Sequence, residues 1–449
     1  MNPLVPFPYQ QESIEHLASI WPRERFIVNG SEMGLGKTLE AIELMKRFDF
    51  PTAVVAPKVT LAGWERTAAR QGTSISAINY EMVRTGRTPY GKWHNEKFVW
   101  DNGIGALFFD EAHRCAGDNT LSARMLKAAR DQRIPTLVMS GTLADSPLDM
   151  DALGYLLGFH QGFRPRPTLR IPEPVSFNKW AQQHGCRQTL EGFLFTGSEA
   201  SKLQHLASIH AKMYPAKGCR VKIADLGSAF PDQQITAELY DSDNAARMET
   251  LYAKMEAELA VLRERTGNYR PGANTDLIAE LQEVELLKVP VFEELTHDAI
   301  SQGLSVALFV NYRATQDALC RRLNTLCRID GNQTGAEREN CRKSFQSDDS
   351  RVCVVQSQAG GVGLDLDDIR GVYPRISFAS PGWDAKTTKQ LPGRTRRASS
   401  KSKSFFRFIM IKGTREENVH KRLASKLNCL DALNDGDLDP NNLEIARTF

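Results

Sequence analysis

At about 150 residues per domain, a chain of 449 residues predicts two to three packed units and excludes a single small module. Hydrophobic residues make up 41% and charged residues 25%, which excludes the disordered, collagenous and disulfide-scaffold classes. Lys and Arg number 57 against 54 Asp and Glu, a net charge of +3, so any site for a polyanion must come from local clustering.

The amino-terminal stretch Met1 to Gln11 is Pro-rich and has no basic region followed by an apolar core. No apolar run approaches the roughly 18 residues of a membrane span, so neither secretion nor membrane association is expected and a cytoplasmic location is. Short apolar runs then alternate with helix-period segments. Phe26 to Asn29, Thr52 to Ala56, Ile75 to Asn79, Ala106 to Phe109 and Pro135 to Met139 read as strands. Lys37 to Phe48 and Ser122 to Arg130 read as helices between them, which predicts a parallel sheet covered on both faces. Four prolines at 165, 167, 172 and 174 make Gln161 to Pro174 a surface loop. Met248, Leu251, Tyr252, Met255, Leu259 and Leu262 recur at helical spacing and predict an amphipathic helix whose stripe packs into a core. Strands return at Ser305 to Val310, Leu326 to Asp330, Val352 to Gln356, Ile376 to Ala379 and Phe405 to Ile411, a second α/β lobe. The division expected is 1–235 for the first lobe with a helical insertion and 236–449 for a helical linker and second lobe. Eight cysteines, at 115, 186, 219, 320, 327, 341, 353 and 429, form no C-x-x-C pair and no zinc spacing, as in a reducing compartment.

The strongest local signal is Phe26-Ile-Val-Asn-Gly-Ser-Glu-Met-Gly-Leu-Gly-Lys-Thr38, a strand running into a Gly-rich turn and a helix. Backbone N–H groups of such a loop close around phosphate oxygens, a Lys neutralises β/γ charge and a hydroxyl binds Mg²⁺. Gly34, Gly36, Lys37 and Thr38 fit those roles, with Met33 and Leu35 completing the loop. Strict G-x-x-x-x-G-K-[ST] spacing wants glycine at Ser31, so an incidental Gly-rich turn is the competing reading. About seventy residues on, the apolar strand Ala106-Leu-Phe-Phe ends in Asp110-Glu-Ala-His113. At a strand's carboxyl end, Asp110 could hold Mg²⁺ through water and Glu111 orient or deprotonate the attacking water. Alone, such an acidic pair is more often a solvated turn; after a phosphate loop in one sheet it favours NTP hydrolysis.

These segments, with Ser140-Gly-Thr142, resemble motifs I, II and III of superfamily 2 helicases and translocases. Gln358-Ala-Gly-Gly-Val-Gly-Leu-Asp-Leu366 resembles motif V and Gln390-Leu-Pro-Gly-Arg-Thr-Arg-Arg397 resembles motif VI. Glu32 to Thr38, Ser140-Gly-Thr-Leu-Ala-Asp-Ser-Pro147, Ile329-Asp-Gly331 with Arg338 and Phe345, and Tyr9-Gln10 are similar to the SWI/SNF-like group in particular. The resemblance spans nearly the whole chain in the family's order. It implies two RecA-like lobes, ATP with Mg²⁺, and a nucleic-acid partner, DNA foremost and RNA as the alternative. By the same resemblance, Gln10 would recognise adenine, and His113, Ser140, Thr142 and Gln390 would couple hydrolysis to movement. Gly363 and Asp365 would touch nucleotide or backbone, and Arg394 and Arg397 would be arginine fingers. The sequence departs from the family at Leu143 (often Pro), Asp365 (often Asn), Arg396 (often His) and Ser399-Ser400 (often Gly-Gln).

Local charge supplies a candidate nucleic-acid track. Lys386 to Lys426 holds thirteen Lys or Arg against two Glu, which can bind phosphates by counterion release or form a solvated basic face. In Arg84 to His94, Tyr90 and Trp93 could stack on a splayed base or pack against the first lobe. The resemblance implies a DNA translocase that remodels forks, branches or annealing strands, of the compact phage or bacterial type that leaves no room for a separate targeting domain. The rivals are a strand-separating DNA or RNA helicase, a non-catalytic NTP-dependent switch and a P-loop kinase.

Overall fold

Alternate side chains of a strand point to opposite faces, so an apolar run without alternation must be buried on both. The computed structural model describes residues 3–116, 120–161, 176–189, 192–266, 275–360, 364–382, 388 and 390–417, and shows this outcome in its first sheet. Val28, Val55, Leu107, Phe109 and Val138 enter one apolar cluster, while Ile27, Val54, Phe108, Leu137 and Met139 enter another. The chain divides into two compact units between Gly227 and Ser228.

Unit 1 opens with α1 (Pro8–Glu24), β1 (Phe26–Asn29), α2 (Lys37–Phe48), β2 (Thr52–Ala56), α3 (Leu61–Arg70), β3 (Ser76–Asn79) and α4 (Tyr80–Arg84). A hairpin, β4 (Gly91–His94) and β5 (Lys97–Trp100), precedes β6 (Ala106–Asp110), α5 (Leu121–Asp131) and β7 (Thr136–Met139). An insertion follows: α6 (Met150–Leu157), α7 (Phe177–Gln183), the hairpin β8 (Cys186–Thr189) and β9 (Gly192–Phe195), and α8 (Glu199–Met213). The chain then returns to the sheet as β10 (Gly218–Cys219). The six-stranded sheet runs β10-β1-β7-β6-β2-β3, parallel throughout. Gly218 permits the edge pairing, because a Cβ there would lie 1.9 Å from Val28 O.

Unit 2 contains β11 (Gln233–Tyr240), α9 (Ala245–Thr266), α10 (Thr275–Leu286), α11 (Val289–Ser301), β12 (Ser305–Val310), α12 (Arg313–Arg322) and β13 (Arg328–Ile329). It continues with α13 (Gly335–Gln346), β14 (Val352–Gln356), α14 (Ser357–Gly360), β15 (Arg375–Ala379) and β16 (Ser404–Ile411). Its sheet is β11-β16-β15-β12-β14-β13, again parallel. Two parallel α/β sheets flanked by helices are the two RecA-like lobes that the sequence leads one to expect. The observed strands β1, β2, β12 and β14 coincide with the expected ones, and the other expected strands shift by one or two residues.

Four features escaped the periodicity. Strand β10 has two residues, and β11 mixes polar and apolar side chains along an edge. The β4–β5 turn at Asn95 and Glu96 has positive φ (45° and 64°) without a glycine to signal it. The β8–β9 hairpin exposes Arg187, Gln188 and Thr189. Residues 162–174 of the expected proline loop lie outside the described residues, as does Cys429. On α9, Met248 and Met255 are buried as the stripe requires; the side chains of Leu259 and Leu262 are outside the description. Among the described residues no helix is long and apolar enough to cross a membrane.

Unit 2 is pinned by a buried ion pair. Lys288 Nζ donates to Ile409 O (2.6 Å) and to both oxygens of Glu416 (3.0 and 3.1 Å), and Glu416 also accepts from Ile411 N (2.9 Å). Removing one partner of a buried pair leaves the other uncompensated. Lys288→Met should destabilise the protein by about 3–5 kcal/mol, and Lys288→Met with Glu416→Leu by less. Chemical denaturation of both variants checks this, and a double variant no more stable than the single one would contradict it.

Candidate functional site

Strands β1, β7 and β6 lie side by side, so the turns that follow them share the carboxyl edge of one parallel sheet, where ligands of α/β proteins bind. The turn after β1 is the Gly-rich loop. Gly34 (φ 85°) and Gly36 (φ 83°) adopt the left-handed conformation that aims successive N–H groups inward, and Gly36 caps α2 at Lys37. Gly36 is also required from outside: a Cβ there would lie 2.2 Å from Gln10 Nε2. Gln10 is buried, donates to Leu35 O (2.6 Å) and accepts from Phe7 N (2.9 Å), so the expected adenine reader bears directly on the phosphate loop. Tyr9 Oη donates to the same carbonyl (3.3 Å).

Lys37 Nζ donates to Ser31 O (2.6 Å) and Glu32 O (3.0 Å), folded back over its own loop. Burial lowers its pKa, and the carboxylates of Glu111 and Asp110 work against that fall. Thr38, the other expected phosphate-loop ligand, is the second residue of α2. Asp110 closes β6, with Oδ2 accepting from Trp64 Nε1 (3.0 Å) and Oδ1 from Glu111 N (3.0 Å). Burial and then the neighbouring Glu111 charge push its pKa up to about 6, against the Trp64 hydrogen bond and Lys37. Glu111 is held at φ 52°, ψ 50°, a left-handed conformation uncommon for a non-glycine residue and frequent where a side chain must be aimed. His113 Nδ1 lies 3.3 Å from Glu111 Oε2 and 3.0 Å from Ser140 Oγ, and Ser140 Oγ accepts from Thr142 N (3.1 Å). The structure thus gathers Gln10, Lys37, Asp110, Glu111, His113, Ser140 and Thr142 into one cluster in unit 1. Gly141 packs there too, its Cβ position 2.9 Å from Met33 Cγ.

An amine folded onto carbonyls, a loop of inward N–H groups and two carboxylates at the strand ends together fit a magnesium-bound triphosphate. The buried Asp110 carboxylate in particular is costly to ionise without a cation.

Unit 2 holds the second set. Arg397 donates from Nε to Asp365 Oδ1 (2.6 Å) and from Nη2 to Leu364 O (3.1 Å). Desolvation works to raise the Asp365 pKa, but the guanidiniums of Arg397 and Arg394 outweigh it and hold the carboxyl below its usual range. Asp365, expected at nucleotide or backbone, is the carboxylate on which Arg397 is anchored. Arg394 is 1% exposed and Gln390 2%, both inside unit 2. The unusual residues around motif VI lace it to motif V: Ser399 Oγ donates to Asp367 Oδ2 (2.6 Å), and Ser400 Oγ accepts from Arg397 N (2.9 Å). Arg396 donates to Pro231 O (2.6 Å) and lies over the Phe230 ring. Gly363 falls outside the described residues, as do Lys386, Lys389 and 418–426 of the basic run. The Tyr90 and Trp93 rings pack against the first lobe: Trp93 meets Phe98 edge-on and donates from Nε1 to Arg84 O (2.8 Å).

Sequence reasoning passed over three residues of the unit 1 cluster. Trp64 looks like core, Arg220 lies in no motif, and Glu40 sits on α2 amid helix-forming residues. Glu40 is fully buried, accepts from Asn29 Nδ2 (2.5 Å), and has its pKa pushed up to about 7 by burial.

Residues 288–399 match the family of the helicase conserved C-terminal domain. A protein of Acanthamoeba polyphaga mimivirus, named as an ATP-dependent RNA helicase, is 27% identical over 98% of this chain and 85% of its own. A SWI/SNF-related, matrix-associated, actin-dependent regulator of chromatin (subfamily A-like protein 1) of Xenopus tropicalis is 23% identical over 94% of this chain. The human chromodomain-helicase-DNA-binding protein 1 is 22% identical over 93%. The chain spans 44% and 26% of the lengths of these last two. A SWI2/SNF2 ATPase core of Sulfolobus solfataricus, solved with double-stranded DNA, shares 15% identity over 98% of this chain and 96% of that one, at a TM-score of 0.37. The class is that of helicase-family, nucleic-acid-dependent ATPases. Within it, the chain is similar to the SWI/SNF-like group of superfamily 2.

Two measurements test the site's electrostatics. Trp64→Phe removes a hydrogen bond that favours ionised Asp110, so the acid limb of the ATPase pH profile should move up by about half to one unit, with activity recovering above pH 8. An unmoved limb would reduce Trp64 to packing. Glu40 has a folded pKa above its unfolded value, so stability present at low pH is lost as pH rises from 4.5 through about 7. Glu40→Gln should therefore gain about 1–2 kcal/mol over wild type at pH 8 and little at pH 5; equal melting shifts at both values would exclude titration there.

Proposed function

We propose that the chain is an ATP-driven motor that tracks along duplex DNA and remodels forks, branches or annealing strands. The observation that carries this reading is the convergence of Lys37, Asp110 and Glu111 at one sheet edge, with Ser140 and Thr142 hydrogen-bonded to the same cluster through His113. Thr38 would ligate Mg²⁺ directly and Asp110 through water. Bound ATP and Mg²⁺ supply the phosphoryl group and the neutralising charge. The chain's own residues do the rest. Lys37 exchanges the Ser31 and Glu32 carbonyls for phosphate oxygens, and the inward N–H groups of residues 33–37 hold the phosphates. Glu111 takes the proton from the attacking water, with His113 relaying its state to Ser140. Gln10 reads the adenine while bracing Leu35 O.

Arg397 would act as a finger, a role supported by the anchoring of two of its nitrogens on Asp365 and Leu364. Arg394 would act beside it. The basic residues from Lys401 to Arg415 would contact phosphates of the track, together with the rest of that run in sequence.

The printed name of the human relative includes DNA binding, which supports DNA as the track. A second reading, an RNA-directed helicase, is favoured by the name of the mimivirus relative. ATPase stimulation by duplex DNA, forked DNA, single strands and RNA at two salt concentrations separates them. The motor reading expects the strongest stimulation from duplex or branched DNA and a steep loss with salt. Stimulation by RNA alone would transfer the assignment to the rival. In the same assay Lys37→Ala should abolish turnover. Arg397→Ala should slow it by about 10³ to 10⁵ with ATP binding retained. Lost binding with an unchanged rate would remove Arg397 from the finger role.

A further inference from the structure

The segment Cys219–Ile223 belongs to none of the motifs, yet it is joined to the phosphate loop residue by residue. Gly30 N donates to Cys219 O (2.9 Å) and Glu32 N to Val221 O (3.0 Å). In return Val221 N donates to Ser31 Oγ (3.2 Å) and Ile223 N to Glu32 Oε2 (2.6 Å). These bonds extend the β1–β10 pairing, Val28 with Gly218 and Asn29 with Cys219, beyond the strand ends. Ser31, the residue that spoils the strict phosphate-loop pattern, supplies one of the acceptors.

Arg220 stands in the middle of this seam. Its Nη1 donates to the carbonyl of Gly30 and to Gly141 O (3.1 Å), so a single guanidinium nitrogen ties the root of the loop to the Ser140–Thr142 turn. A charged donor makes each of these bonds stronger than a neutral one, so one cation holds the two carbonyls together. The ammonium of Lys37 is near enough to feel the charge of Arg220. Ladders and charged clamps of this kind transmit displacement, because packed elements shift as bodies and do not deform continuously. The segment they hold continues directly to the unit boundary at Gly227 and Ser228.

We propose that Arg220 is a positioning residue of the nucleotide site, locking the phosphate loop, the Ser140–Thr142 turn and the Cys219–Ile223 segment into one body, so that a triphosphate in the loop is sensed along the chain leaving unit 1. This rests on the ATPase reading given above.

The test compares wild type, Arg220→Gln, Arg220→Lys and Lys37→Ala as full chains. Hydrogen–deuterium exchange is measured with and without a non-hydrolysable ATP analogue, and steady-state ATPase with duplex DNA. In wild type the analogue should slow exchange in both 30–38 and 219–223. In Arg220→Gln it should slow the loop alone, and kcat should fall about tenfold with KM for ATP changed less than about threefold. Arg220→Lys, which can still donate to both carbonyls, should restore the response of 219–223 and most of the rate. An equal response of 219–223 in wild type and Arg220→Gln, or none in a wild type that binds the analogue, overturns the clamp. If Arg220→Gln does not fold, a folded Arg220→Lys in which 219–223 no longer responds overturns it as well. A wild type that neither binds the analogue nor hydrolyses ATP sinks the ATPase reading instead. Exchange of the Gly30 and Glu32 amides in the nucleotide-free proteins still judges the clamp in that case.

Discussion

An ammonium folded over backbone carbonyls, with two carboxylates at the neighbouring strand ends, is the arrangement on which the first unit depends. Burial disfavours the charge on Lys37, Asp110 and Glu111 together make that charge tolerable, and Lys37 in turn opposes the rise that burial and Glu111 impose on Asp110. A phosphate chain would take the place of the Ser31 and Glu32 carbonyls on Lys37, and a divalent cation would relieve Asp110. The parallel sheet makes the cluster feasible, because it delivers three turns from distant parts of the chain to one edge.

The surroundings of the cluster tune it by means other than direct participation. Trp64 is buried, yet its indole N–H reaches Asp110 and opposes the pKa rise that burial causes. Gln10 lies so close to Gly36 that no side chain fits between them, which couples the first helix to the phosphate loop. Trp64 acts through its neighbour's charge, and motif reading does not expose it because nothing in its own chemistry signals the role.

The second unit has a different logic. There the acidic residues Asp365, Asp367 and Asp368 bind the segment after Arg394 in register, through Arg397, Ser399 and Ser402. The residues that depart from the family pattern, Asp365 and Ser399-Ser400, are members of this lacing. A charged pair at Asp365 and Arg397 replaces what an amide would provide and holds the arginine in a single orientation, at the cost of a stronger grip on it.

Periodicity and spacing alone determined the two α/β lobes, the boundaries of β1, β2, β12, β14 and α2, and the phosphate loop with its acidic strand end. These features depend on runs of local sequence whose physics is local: apolar stretches that must be buried on both faces, glycines that must turn, a carboxylate that follows a strand. Only the tertiary structure decided what lies against them. The edge strands β10 and β11 are too short or too polar to read, Trp93 proved to pack edge-on against Phe98, Asp365 was found paired with Arg397, and Arg220 was found bridging Gly30 and Gly141. The pairing of Asp365 with Arg397 and the bridge made by Arg220 join residues far apart in sequence, and such contacts are set by how strands order themselves in a sheet, which no single stretch of the chain encodes.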